Sequence, residues 1–181
     1  MKNFLTNKYC DEALQRLSTG DMDALSVIYE RLGRRIYLLA LSILRDSEAA
    51  KDVMQETFLK LATGARAYKE QSNATAYILT VARNLSLDLL AKRRQIASHE
   101  RELDSVLECG ANDPFFEGGT MLGLLYSLGE DERQIIMMKL EGKMKHRDIA
   151  ALLGISEEAC QKRYRRALEK LKQNYMREVK K

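Results

Sequence analysis

A single proline, Pro114, occurs in the 181 residues of this chain. Proline removes a backbone donor and clashes with the preceding helical turn, so long stretches without it are open to helix. The apolar residues use that opening. Beyond Asp21 they recur at Leu25, Ile28, Tyr29, Leu32, Ile36, Leu39, Ala40, Ile43 and Leu44, the spacing that turns one wide face of a helix into a core. No strand-like alternation of useful length competes with it. Leu, Ala, Lys, Arg and Met, all good helix formers, are abundant. The expected class is all-α: two small helical domains joined by a flexible linker, the C-terminal one a helix-turn-helix.

Local punctuation divides the first half. Asp21 is the expected N-cap of the helix just described, and Asp46-Ser47 ends it and offers the next cap, with Glu48 at the positive end of the following dipole. That following helix carries Val53, Thr57, Phe58 and Leu61 on one face and turns Asp52, Gln55, Glu56 and Lys60 largely away. Gly64 is its expected C-terminal cap. Residues 65–73 are polar and irregular. Ser72 or Asn73 then starts a third helix through Ala76, Leu79, Ala82, Leu85, Leu89 and Leu90 to the basic end Lys92-Arg93-Arg94.

Charge marks the same organisation. Residues 1–96 carry 15 basic and 11 acidic side chains, residues 97–120 carry 1 and 6, and residues 121–181 carry 14 and 9. The expected domains are therefore 1–96 and 121–181, both basic, joined by an acidic linker over 97–120. The linker gathers Gly110, Pro114, Gly118 and Gly119, with one helical turn expected around Ser98–Leu107 and an aromatic pair, Phe115-Phe116, suited to docking.

Other classes are excluded. Residues 1–8 lack the apolar core of a signal peptide, and the longest apolar run, Ile36–Leu41, falls far short of the roughly 20 residues that span a bilayer. No membrane insertion is expected. Cys10, Cys109 and Cys160 are odd in number and form no CxxC pair, which fits free thiols in a reducing, cytoplasmic setting. Neither His99 nor His146 neighbours a cysteine pair. No metal, cofactor or catalytic residue is expected, and no carboxylate cluster or phosphate-cradling glycine loop points to an enzyme.

The second domain holds the most specific pattern. Helices are expected over Met121–Leu128, from Glu130 or Asp131 to Leu140, over His146–Leu153, and from Glu157 to about Arg177. Within it, Ala150 is small where two helices cross, and Gly154 stands where the turn needs positive φ. Ile149, Leu153 and Ile155 form the apolar wedge, and Ser156 caps the second helix. On that helix Cys160, Tyr164, Ala167, Leu168 and Leu171 share one face, while Gln161, Lys162, Arg165, Arg166 and Lys172 lie on the others. Such a helix can bury one side and offer amide and guanidinium donors to a major groove.

Two segments of the first domain extend this. Asp46 through Leu61 (DSEAAKDVMQETFLKL) and Ala76 through Asp88 (AYILTVARNLSLD) stand ahead of the helix-turn-helix pattern of Leu128 through Leu171. Together they resemble bacterial RNA polymerase sigma factors of the extracytoplasmic-function (ECF) group, in the sigma-70 family. The resemblance covers about residues 20–95 and 120–173. This chain has Tyr77 where the family usually has Trp, Leu128-Gly129 for Leu-Pro, and Ala159-Cys160-Gln161-Lys162 for Thr-Val-Lys-Ser.

The resemblance implies a protein that binds core RNA polymerase and directs promoter recognition and DNA melting. Residues 1–96 would be a region 2-like domain, with Asp52, Gln55 and Glu56 as polar contacts to core polymerase. Tyr68, Lys69, Tyr77, Arg83, Asn84, Lys92, Arg93 and Arg94 would meet the start-proximal promoter element as it opens. Residues 121–181 would be a region 4-like domain holding the upstream element through Lys143, Lys145, Arg147, Gln161, Lys162, Arg165 and Arg166. The acidic linker would thread basic polymerase channels. The family also implies a dedicated anti-sigma factor as partner. The competing reading is a stand-alone helix-turn-helix regulator that binds an operator as a dimer.

Overall fold

The computed structural model describes residues 2–65, 68, 73–99 and 119–179, with side chains for 5–65, 68, 73–96 and 123–177. Among these residues there are eight helices and no strand: α1 (Lys2–Ser18), α2 (Ala24–Leu44), α3 (Ser47–Gly64), α4 (Ala74–His99), α5 (Gly119–Tyr126), α6 (Glu130–Leu140), α7 (His146–Leu153) and α8 (Glu157–Val179). The chain is all-α. It separates into two compact units, Met1–Gly110 and Ala111–Lys181.

In the first unit α2 is the central helix and packs against α1, α3 and α4. Ile28 and Leu32 are buried, and from Ile36 to Leu44 every residue is buried, so the last turns of α2 are enclosed on all sides. Each Leu or Ile sequestered there contributes on the order of 1.5–3 kcal/mol of transfer free energy. Tyr29, expected on the buried stripe, is instead 48% exposed. Its ring lies across Gly33 and pairs with Phe58 of α3 at 5.6 Å between centroids, so both rings roof the α2–α3 seam.

α1 is absent from the expected elements. Its buried residues Cys10, Ala13, Leu14 and Leu17 follow helical spacing, but polar residues interleave them. The turn after it also differs from expectation. Asp21 does not cap α2. Its Oδ2 takes the Arg16 guanidinium at 2.8 Å and its Oδ1 accepts the Asp23 N–H at 3.1 Å, so it closes the α1–α2 turn, and Asp23 holds the N-cap position without a side-chain bond. Gly64 is likewise not a left-handed cap: it is the last residue of α3, and Ala65 follows in right-handed conformation. A left-handed ending is found instead at Arg45, φ 56°, after α2.

Two other caps match the expectation. Asp46 accepts the Ala49 N–H at 3.1 Å, and Asn73 accepts the Ala76 N–H at 3.0 Å. α4 runs to His99, beyond the expected domain end at residue 96 and into the helical turn expected from Ser98. The rest of that turn, Pro114 and Phe115-Phe116 lie outside the described residues.

The second unit is built on α8, against which α5, α6 and α7 pack. Leu124, Leu125, Leu128, Ile135, Ile136, Met138, Met144, Ile149, Cys160 and Ala167 fill its core. α6 buries two polar side chains as well, Gln134 and Arg133, and the latter donates Nη1–H to the Leu128 carbonyl at 2.6 Å. At the start of α6 the Glu132 carboxylate accepts the Gly129 N–H at 3.2 Å. The helix-turn-helix geometry follows the expected residues. Gly154 adopts φ 64°, and the Ile155 N–H reaches back to the Ala150 carbonyl at 3.1 Å. That six-to-one bond is the Schellman ending a left-handed residue permits. The Ser156 hydroxyl oxygen accepts the Ala159 N–H at 3.1 Å and caps α8.

Candidate nucleic-acid interface

α3 turns Asp52, Gln55 and Glu56 to solvent while Val53, Met54, Thr57 and Leu61 are buried. Asp52 and Glu56 are one turn apart, and Thr57 settles its hydroxyl on the Val53 carbonyl at 2.7 Å. Across an open cleft from them, α4 contributes Asp88, Leu89 and Lys92. Asp52 and Glu56 of one set and Lys92 of the other, assigned separately from sequence, thus border one cleft.

The aromatic members of the melting set meet. Tyr68 and Tyr77 lie with ring centroids 5.2 Å apart and planes tilted by 49°, both half-buried. The Tyr68 hydroxyl donates to Asp11 Oδ1 at 2.5 Å, so the pair is tethered to α1. Asp11 was not singled out from sequence, and nothing local signals a bond to a residue 57 positions away. Further along α4, Arg83 is half-buried and Asn84 is exposed, and Lys92, Arg93 and Arg94 are exposed. Arg93 is engaged: its Nη1 donates to Asp46 Oδ2 at 2.9 Å. Lys69 lies outside the described residues.

In the second unit Lys143, Lys145 and Arg147 are exposed ahead of and at the start of α7, and Lys162, Arg165 and Arg166 are exposed on α8. Lys143 takes φ 50°, a left-handed conformation in the α6–α7 turn. Gln161 is half-buried and donates Nε2–H to Glu157 Oε1 at 3.3 Å. Leu168, expected on the buried face of α8, is 38% exposed. Two further cations of α8 serve the fold. Arg163 pairs with Asp131 at 2.5 Å and Lys170 with Glu132 at 2.8 Å, two cations two turns apart on α8 meeting adjacent acids at the start of α6.

His146, at the start of α7, faces Tyr164 of α8 edge-on at 5.2 Å, and its buried Nε2 has no hydrogen-bond partner. Burial, reinforced by Lys139 and Arg165 and opposed by Glu157, holds its pKa below the ordinary histidine value. Burial also pushes the Cys10 thiol up to about 11 against the pull of Arg35 and Arg31, and raises Cys160. Neither thiol is activated as a nucleophile or ligand. Among the described residues no cluster of His, Cys, Asp and Glu could hold a metal ion, and no helix is long and apolar enough to cross a membrane.

A helix-turn-helix with exposed cations ahead of α7 and along α8 is the arrangement of a DNA-binding transcription protein. Residues 28–96 match the family model for Sigma-70 region 2, and residues 121–171 match that for Sigma-70, region 4. The chain is 27% identical over 165 residues to RNA polymerase sigma factor CarQ of Myxococcus xanthus, covering 88% of this chain and 94% of that one. It is 22% identical over 156 residues to ECF RNA polymerase sigma factor SigM of Bacillus subtilis, covering 84% and 95%. The fold is shared with CnrH, solved in complex with the cytosolic domain of CnrY (TM-score 0.64, 20% identity, 91% and 95% covered). It is also shared with the sigma factor RpoE of Bartonella quintana, solved with the anti-sigma factor NepR (TM-score 0.67, 21% identity, 82% and 94% covered).

The chain belongs to the sigma-70 family, as a sigma factor of the ECF group. It is an alternative sigma factor that works with core RNA polymerase and directs transcription initiation. A stand-alone operator-binding regulator is not favoured, because the region 2 match has no place in it. Sigma factors are generally regulators without enzymatic activity.

Proposed function

We propose that residues 1–96 bind core polymerase and open the start-proximal promoter element, that residues 97–120 are an acidic linker, and that residues 121–181 hold the upstream element. The observation that carries this reading is the outward set Asp52, Gln55 and Glu56 on a helix whose other side is fully committed to the core. Three hydrogen-bonding side chains on one exposed face, two of them anionic, match a basic protein partner better than they match DNA.

In this reading Tyr68 and Tyr77 offer aromatic faces to an extruded base, while Lys69, Arg83, Asn84, Lys92, Arg93 and Arg94 follow the strand. Tyr in place of Trp still stacks, with a smaller face. Lys143, Lys145, Arg147, Arg165 and Arg166 neutralise phosphates and position α8, and Gln161 and Lys162, early on that helix, read base edges. Gln161 must exchange Glu157 for the base to do so. The protein acts in the cytoplasm and is no catalyst itself: it contributes binding, positioning and strand separation. An anti-sigma factor is its regulator, by analogy with the complex of the Bartonella relative.

Run-off transcription from genomic fragments by core polymerase, with and without the protein, tests the whole. Charge reversal at Asp52 and Glu56 tests the docking: Asp52→Lys with Glu56→Lys is expected to weaken core binding at least about tenfold, as two opposed charges are replaced by repulsive ones. Unchanged core affinity would refute it.

A further inference from the structure

α1 precedes the segment matched to region 2, which begins at residue 28. Its core-facing stripe is Cys10, Ala13, Leu14 and Leu17. On an adjoining face Asn7 and Asp11, four residues apart, stand one turn above the other. Both are half-buried, and both accept hydrogen bonds from residues far along the chain. Asn7 Oδ1 accepts the Thr75 N–H at 3.1 Å, a first-turn donor of α4 that no carbonyl within that helix can satisfy. Asp11 Oδ1 accepts the Tyr68 hydroxyl, and Asp11 Oδ2 accepts from Gln15 Nε2 at 3.1 Å. The carboxylate is therefore held from both sides, and α4 is seated on the same helix that holds Tyr68.

We infer that Asp11 is a positioning residue for promoter opening: by holding the Tyr68 hydroxyl it sets the angle of that ring against Tyr77, and so the aromatic surface offered to an unpaired base. The inference rests on the proposed contact between this pair and single-stranded promoter DNA. A phenol hydrogen-bonded to a carboxylate is more strongly held than one bonded to a neutral acceptor. With the acceptor removed, the Tyr68 ring loses the restraint that fixes its hydroxyl end, and a base must restore that order before stacking on it. Asp11 itself touches no DNA in this arrangement.

The experiment uses the full chain with core polymerase on a promoter identified by run-off transcription. Permanganate reactivity of unpaired thymines follows opening, and core affinity is measured alongside. Tyr68→Ala and Tyr77→Ala ask whether the pair meets DNA at all; wild-type opening by both removes that contact and the role of Asp11 with it. If they impair opening, Asp11→Leu is expected to slow it about 10- to 100-fold, the effect of losing one charge-assisted hydrogen bond, with core affinity unchanged. Tyr68→Phe should do the same, and the double variant should lose no more than either single one. Asp11→Asn, whose amide oxygen can accept the same proton in a weaker, uncharged bond, should restore part of the opening. Wild-type opening by Asp11→Leu, additive losses in the double variant, or a loss that merely tracks core affinity would overturn the inference while leaving the Tyr68–Tyr77 contact standing.

Discussion

One carboxylate, Asp46, joins two helices: its Oδ1 accepts the Ala49 N–H at 3.1 Å and its Oδ2 accepts from Arg93 Nη1 at 2.9 Å. The first bond caps α3, the helix bearing the proposed polymerase contacts. The second ties down the basic end of α4, whose Arg93 is a proposed strand contact. A phosphate at Arg93 would compete with Asp46 Oδ2 for the guanidinium, while the cap bond to Oδ1 uses the other oxygen.

Asp46→Ala is expected to destabilise the first unit by about 1–2 kcal/mol, chiefly through the lost N-cap. Arg93→Ala should cost less, under about 1 kcal/mol, because the guanidinium is 43% exposed and its pair is screened. Urea denaturation of the two variants and the double variant separates the cap from the ion pair.

Acid should weaken both units. For Asp46, burial works to raise the carboxyl, but the Ala49 N–H, the Arg93 guanidinium and the Glu48 N–H together hold it below its ordinary value. Glu132 is similar: burial opposes, while Lys170, the Gly129 N–H and Arg163 prevail. A folded pKa below the unfolded one means the anion stabilises the fold. That contribution is complete above the unfolded carboxylate values of about 4, and it is lost as pH falls through the folded ones. Unfolding midpoints measured between pH 7 and 3 should decline in that window, and Asp46→Asn should flatten part of the decline.

His146 should add a second, milder dependence in the helix-turn-helix. Its folded pKa is lowered, so the unfolded chain binds the proton more readily. The contribution is complete above the unfolded value of about 6.5 and is lost as pH falls through the folded one. Protection factors of α7 and α8 amides, corrected for the pH dependence of intrinsic exchange, should fall over that range, and His146→Phe, which keeps a ring against Tyr164, should abolish the fall.

Gly154→Ala is expected to cost the second unit about 1–2 kcal/mol. A Cβ there would meet nothing within 4 Å, so the whole penalty is that of a left-handed backbone at φ 64°. Thermal unfolding of the variant measures it, and upstream-element binding should fall with it.

Removing a phosphate contact and removing a base reader should leave different signatures. Arg165→Ala or Arg166→Ala should lower the slope of log affinity against log salt by about 0.9 each, nearly independent of sequence. Gln161→Ala should change which promoters are preferred and leave that slope alone. Holoenzyme binding titrations at several salt concentrations distinguish the two.

What was legible in the sequence is what depends on near neighbours. The caps at Asp46, Asn73 and Ser156 and the left-handed turn at Gly154 each involve groups within a few residues, and the two motif sets carried the family. Asp21 misled because its carboxylate had two local offers, a helix N-terminus and Arg16 across the turn, and the ion pair with the turn N–H prevailed. Gly64 misled because a glycine at a helix end permits a left-handed cap without requiring one. Leu168 and Tyr29 fit their stripes by spacing, yet the partner helices do not reach far enough around to cover them.

By itself, then, the near-absence of proline and the helical recurrence of apolar residues determined an all-α chain, and local chemistry determined where most helices start and turn. Tertiary structure alone decided which polar groups meet: Asp11 with Tyr68, Asn7 with Thr75, Arg93 with Asp46, Arg163 with Asp131. The reason is physical. Helix signals are carried by hydrogen bonds three or four residues long, whereas these partners are brought together only when the apolar faces of separate helices pack and fix which flanks lie side by side.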